Sequence, residues 1–283
     1  MSIRFENVTK SFLDRKVLSD LSFSTRDGEI LYIIGKSGVG KSVTLKHAVG
    51  LIKPDSGRIF VGSHEVTSLN REELMPVRRL CGMIFQQTAL FDSMNIFDNI
   101  AYGLRSTGLD SDALAARVSE VLSLVQLDSG VLDKLPCDLS FGMQKRVSLA
   151  RTIAPSPAYL LFDEPTTGLD PIITNAIGSL ITGLSRQLGT TSIVVSHDME
   201  SALSTADRIM LLDNGGIAAL GTPGEIRQST NPLVMEFLAE INDTPEAGTS
   251  RTPCIWRQDE QSYREYRRAI HHDDPLDIEE VDK

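Results

Sequence analysis

Cysteine is scarce in this chain, three in 283 residues, and Cys81, Cys137 and Cys254 lie far apart with no CxxC pair. That spacing fits a reducing compartment better than a disulfide or zinc framework. Long apolar runs are missing as well. Residues 158–162 and 209–212 are among the longest, far short of the roughly 20 residues that cross a bilayer. A membrane role would therefore have to come through partners. The opening stretch MSIRFENVTKSF has no apolar signal core behind its early charges, which argues against secretion. Basic surplus is absent too: the net charge is −10, the opposite of a nucleic-acid footprint. No repeat of 20–50 residues and no low-complexity tract stands out, so a solenoid is not indicated.

What is present is an ordinary globular composition, with 41% hydrophobic and 23% charged residues, enough to bury a core. Residues 3–8, 17–23, 29–34 and 58–61 read as strands, with a turn at Asp27-Gly28 and a helix over 42–50. From about residue 96 to 153 the pattern turns helical. Leu114, Val118, Val121, Leu122 and Val125 recur at three- and four-residue steps, and a further helical stretch covers 147–153. Strands return at 83–85, 159–162, 192–195 and 208–212. Alternating strands and helices predict a mostly parallel α/β sheet, here with an inserted helical block. Beyond residue 240 the chain becomes turn-rich and then acidic, with 11 acidic and 6 basic residues in 241–283. This segment is read as a C-terminal extension, either a solvated tail or a docking arm. Trp256, Tyr263 and Tyr266 favour packing of 256–270 on a partner or a dimer interface.

Gly35-Lys36-Ser37-Gly38-Val39-Gly40-Lys41-Ser42 matches GxxxxGK[ST] between an expected strand and an expected helix, the context that a phosphate-binding P-loop requires. Glycines let the backbone curl so that amides converge on phosphate oxygens, and the helix N-terminus adds its dipole. Lys41 would reach the β- and γ-phosphates of ATP, and the Ser42 hydroxyl would ligate Mg²⁺. Further on, Tyr159-Leu160-Leu161-Phe162-Asp163-Glu164 is an apolar strand ending in two carboxylates. Such a strand delivers its last residues to the ligand crevice of an open α/β sheet. Asp163 would then hold Mg²⁺ and Glu164 would polarise the attacking water.

Those two motifs suit many NTPases. The stretch Leu139-Ser140-Phe141-Gly142-Met143-Gln144-Lys145-Arg146-Val147 resembles the LSGGQ signature of ATP-binding cassettes, and other elements follow in that family's order. Phe12 stands where an adenine-stacking aromatic is expected, Gln86 matches the Q-loop glutamine, Gly168-Leu169-Asp170 the D-loop and His197 the switch histidine. The resemblance implies a P-loop NTPase cassette over residues 1–240. This comprises a RecA-like core, an antiparallel β subdomain and a helical subdomain at about 91–153, with 241–283 as the extension. It implies ATP and Mg²⁺ as cofactors, Glu164, His197 and Gln86 as catalytic residues, and Ser42, Gln86 and Asp163 as metal ligands. The nucleotide would lie on Phe12, residues 35–42 and Asp170 of one chain and on Ser140 and Gly142 of a second, making the protein a homodimer. Phe141 replaces the first signature glycine and Met143 the glutamine. A left-handed backbone at 141 would strain a phenylalanine.

The run from Gly82 to Ala101, GMIFQQTALFDSMNIFDNIA, is similar to the Mla/Mce group of these ATPases. That resemblance implies phospholipid or lipid transport between inner and outer membranes, a multi-helix permease, an Mce-type lipid-binding partner and a peripheral place on the cytoplasmic face of the inner membrane. The alternative is an importer of amino acids or another polar solute. A non-transport cassette acting on DNA or ribosomes would need a second cassette or a long coiled coil, and no nucleic-acid partner is expected. A cassette that binds ATP without turnover is disfavoured by the intact Glu164 and His197.

Overall fold

A computed structural model describes residues 2–242; the expectations for 243–283, including 256–270, lie outside the described residues. Strands β1 (Ile3–Phe12) and β2 (Arg15–Ser24) open the chain as a hairpin. Strand β3 (Ile30–Ile34), helix α1 (Lys41–Ala48), strands β4 (Ser56–Val61) and β5 (His64–Glu65), helix α2 (Leu74–Leu80) and strand β6 (Cys81–Ile84) follow. Three helices come next without an intervening strand: α3 (Ile96–Ala101), α4 (Ser111–Leu124) and α5 (Phe141–Ile153). The chain then alternates β7 (Tyr159–Asp163), α6 (Pro171–Leu188), β8 (Thr191–Ser196), α7 (Met199–Thr205) and β9 (Arg208–Asp213). It continues with β10 (Gly216–Gly221), α8 (Pro223–Arg227) and α9 (Pro232–Asn242). Helix α9 runs through the expected boundary at 240. Among the described residues no helix is long and apolar enough to cross a membrane.

The strands form an antiparallel sheet of order β2-β1-β4-β5 and a six-stranded sheet of order β10-β9-β3-β8-β7-β6. In the larger sheet only β10 runs antiparallel to its neighbour. Its central strands read as apolar runs because both faces are covered. In β3, Ile30, Tyr32 and Ile34 enter one core with residues of α3–α7, while Leu31 and Ile33 enter another. That second core holds Phe5, Leu18 and Ile59 from the smaller sheet and Leu45 from α1. Strand β7 divides likewise, Leu160 and Phe162 against Tyr159 and Leu161.

The sequence expectation of a helix over 147–153 falls short at its N-terminus. The Ser140 side chain accepts from the Met143 N–H, so helix α5 starts at Phe141 and the signature residues from Phe141 to Val147 form its first turns. Phe141 therefore has helical backbone and is not among the residues with positive φ. The strain that a left-handed residue 141 would impose does not arise. Strand β6 ends at Ile84, which leaves Phe85 and Gln86 in the following loop.

Candidate active site

Parallel pairing sets the C-terminal ends of β3, β7 and β8 at one edge of the sheet, with Ile34 opposite Ser196 and Asp163 opposite Val195. The loops that leave those ends share a crevice. After β3, Gly35 is packed so closely that a Cβ there would stand 2.4 Å from the Leu212 carbonyl oxygen. Gly40, the residue before α1, has φ 107°, which glycine alone adopts at little cost. Amides of such a turn, followed directly by a helix N-terminus, form a concavity that attracts anions. Val39 is half-buried against the core, whereas Lys36, Ser37 and Gly38 are exposed. Lys36 donates to Glu236 Oε1 on α9 at 2.7 Å, and Arg15 donates to the Gly38 carbonyl at 3.2 Å.

Lys41 is 5% exposed. Its ammonium donates to the Gly35 and Lys36 carbonyls at 2.8 and 3.0 Å and lies 3.6 Å from Glu164 Oε1. Burial lowers its pKa from the usual lysine value, and the Glu164 charge opposes that. Beside it the Ser42 hydroxyl donates to Asp163 Oδ1 at 2.6 Å. Burial pushes the Asp163 carboxyl up, with the Ser42 hydrogen bond pulling the other way. Glu164 is shifted in the opposite direction, to about 2. His197 is the main cause, Lys41 and Thr167 assist, and burial opposes. The His197 Nδ1 stands 3.8 Å from Glu164 Oε2, a charge-pair separation longer than a hydrogen bond, and the carboxylate raises the histidine pKa in return. Glu164 is also held by its main chain: φ is 46° and its N–H donates to the Val195 carbonyl at 3.0 Å.

Two adjacent carboxylates with opposed shifts can take different roles. Glu164, ionised at neutral pH, can accept a hydrogen bond from a water and orient it. Asp163 with the Ser42 hydroxyl forms a pair of hard oxygen donors, the kind a divalent ion such as Mg²⁺ takes. The structure thus gathers Lys41, Ser42, Asp163, Glu164 and His197 into one cluster.

The remaining expected residues sit on other elements with contacts of their own. Phe12 ends β1, and the Lys10 ammonium lies 5.3 Å from its ring centroid. Gln86 is exposed after β6, and its carbonyl oxygen accepts from Lys145. Ser140 caps α5, and a Cβ on Gly142 would come within 3.2 Å of Ile173 Cγ2. Asp170 caps α6, accepting from the Ile172 and Ile173 N–H groups at 3.0 Å each.

Sequence reasoning missed four neighbours of this machinery. Thr167 Oγ1 donates to Glu164 Oε2 at 3.0 Å; a hydroxyl three residues after the second carboxylate was the available signal. Asp55 accepts from Lys10 Nζ at 2.8 Å and from the Ser11 N–H at 2.6 Å, latching the strand end that bears Phe12. Arg15 and Lys145 act across long sequence separations, and no local pattern announces them.

A family model described as ABC transporter matches residues 18–167. The sulfate/thiosulfate import ATP-binding protein CysA 2 of Agrobacterium fabrum is 41% identical over 246 residues, covering 86% of this chain and 70% of the relative. The Fe(3+) ions import ATP-binding protein FbpC of Rhizobium etli is 39% identical, covering 86% and 67%. Among solved structures, a dimeric ATP-binding cassette in a post-hydrolysis state with ADP and Pi is 29% identical. It superposes with a TM-score of 0.71 over 78% of this chain and 98% of its own. The cbiO1 subunit of the cbiONQ transporter complex of Clostridium perfringens gives a TM-score of 0.73 at 28% identity, over 84% and 98%.

A phospholipid cargo and an Mce-type partner, expected from residues 82–101, find no support in these relatives, which are import ATP-binding proteins for sulfate/thiosulfate and Fe(3+) ions. The residues that carried that expectation serve the local fold instead. Asn95 caps α3, Asp98 pairs with Arg105 at 2.5 Å, and buried Asn99 binds the main chain of Phe91, Met94 and Asn95.

Proposed function

The chain belongs to the ABC transporter family and is an ATPase of that class, and from this premise we propose that it powers an importer of a polar solute. The observation that carries the chemistry is the cluster of Lys41, Ser42, Asp163, Glu164 and His197 at the ends of three parallel strands. In this reading residues 35–42 cradle the ATP phosphates, Lys41 leaves its loop carbonyls for the β- and γ-phosphates, and Phe12 supports the base. Glu164 takes the proton of the attacking water, and His197 holds the Glu164 carboxylate in its ionised form. Ser42, Asp163 and the Gln86 side chain hold Mg²⁺, which when bound neutralises charge on the phosphates. Ser140, Gly142 and the N-terminus of α5 offer a second anion site. A second copy of the chain places that site over the nucleotide, as the dimeric form of the ADP-bound relative supports. The membrane-crossing part belongs to a permease, on whose cytoplasmic face this chain sits.

The names of the relatives support import of a polar solute over lipid as the cargo. The test is ATP hydrolysis by this chain together with its co-purified permease, in liposomes offered sulfate, ferric ion, an amino acid or added phospholipid. Stimulation by one of the polar solutes is expected; stimulation by phospholipid alone would overturn the reading. For the chemistry, Glu164→Gln is expected to abolish turnover and accumulate an ATP-bound dimer in size-exclusion chromatography. Unchanged turnover would remove Glu164 from its role.

A further inference from the structure

Helix α5 carries an unusual residue for its position. Lys145 is 1% exposed, among the largest fully buried side chains of the protein. Its ammonium donates to the carbonyl oxygen of Gln86, 59 residues earlier, and lies 5.5 Å from the centroid of the Phe141 ring. Among the described residues no carboxylate pairs with it. A buried cation without a counter-charge is costly, and an apolar side chain of similar length would satisfy the packing without that cost. Something beyond stability is therefore served by a donor at this point.

A second cation on the same helix makes a parallel contact. Arg151 donates to the Ala89 carbonyl at 2.6 Å and stacks 4.3 Å from the Phe91 ring centroid. Along a helix, residues 145 and 151 are separated by about 9 Å, and the two carbonyls they hold lie three residues apart in the loop after β6. Helix α5 thus grips the loop after β6 at two points, through main-chain carbonyls that any loop sequence would present. The same helix begins with Ser140, Phe141 and Gly142.

We propose that Lys145 is a positioning residue: it fastens the main chain of Gln86 to helix α5, so that the Gln86 side chain and the Ser140–Gly142 turn take up their places as one body, with Arg151 as the second fastening. The proposal rests on the assignment of Gln86 and the signature turn to ATP hydrolysis. It differs from a packing role in one respect: its effect passes through the Gln86 side chain.

The experiment is a double-mutant cycle on the full chain with its permease, reading kcat, KM for ATP, and ATP affinity of the isolated subunit. Lys145→Met is expected to lower kcat about tenfold, the scale of a lost hydrogen bond to a charged group, with ATP affinity of the isolated subunit and melting temperature retained. Lys145→Arg is expected to restore most of the rate. In a Gln86→Ala background the methionine substitution is expected to have little further effect, because the residue through which it acts is gone. Fully additive losses, or a wild-type kcat for Lys145→Met, would overturn the proposal. If Lys145→Met loses its folding transition, Lys145→Leu, which also removes the donor, carries the same comparison. Failure of the underlying reading has a separate signature: the wild-type chain and Gln86→Ala would then hydrolyse ATP equally.

Discussion

At the residue scale, Glu164 and His197 shape each other. Glu164 titrates at about 2 in the fold against an ordinary 4.5, so its share of stability is present above pH 4.5 and is lost as the pH falls toward 2. His197 is raised above its ordinary 6.5, so its share is present below pH 6.5 and is lost as the pH rises through the raised value. Both contributions coexist between about pH 4.5 and 6.5. The melting temperature of the wild type minus that of His197→Ala is expected to peak in that window and shrink on both sides; a flat difference would count against the pair. Gly35 makes a different demand. An added Cβ would meet a backbone oxygen at 2.4 Å, which no rotamer change relieves. Gly35→Ala should cost about 3 kcal/mol in urea unfolding without nucleotide. The spacing of the P-loop and the carboxylate pair was readable because motif chemistry fixes residue types at fixed offsets. The αL backbone of Glu164 and the Thr167 hydroxyl bond were not, since they arise only where β7 and β8 end side by side.

Elements were legible in proportion to how plainly their burial follows a period. Strands β3, β7 and β8 announce themselves as apolar runs because cores lie on both faces. The first six residues of α5 escaped because their inward members include Lys145, a charge at a core position, and periodicity counts a lysine as outward. The run 82–101 errs in the other direction, since the caps and internal amides within it resemble a sign of cargo. Asn99 shows what those residues do. Its amide donates to the carbonyls of Phe91, Met94 and Asn95 at 3.0–3.1 Å, and its oxygen accepts from the Phe91 N–H at 2.8 Å. Replacing it by alanine leaves the Phe91 N–H and the Met94 carbonyl without these partners, while the Phe91 and Asn95 carbonyls still accept from the Met94 and Asn99 N–H groups, so Asn99→Ala should destabilise the chain by about 3 kcal/mol. Hydrogen exchange is expected to rise first at residues 91–101, and a uniform rise across both sheets would contradict that account.

For the whole molecule, connectivity decides when the nucleotide crevice can exist. Strand β3, which leads into the P-loop, has β8 on one side and β9 on the other, Ile30 opposite Ser192 and Leu31 opposite Arg208. Strand β6 likewise waits for β7 across the whole of residues 85–158. A fragment ending at residue 190 contains the P-loop, Asp163 and Glu164 yet lacks both neighbours of β3. It is expected to retain no fluorescent ATP analogue under conditions where the full chain is saturated. Synthesis runs from the N-terminus, so the phosphate loop leaves the ribosome early and its supporting strands late. Pairings between such distant segments form slowly. During that interval the apolar β3 is an unpaired edge, open to chaperones and to other nascent copies. The order of translation, as much as the finished fold, makes this cassette acquire its ligand only once β8 and β9 have been made.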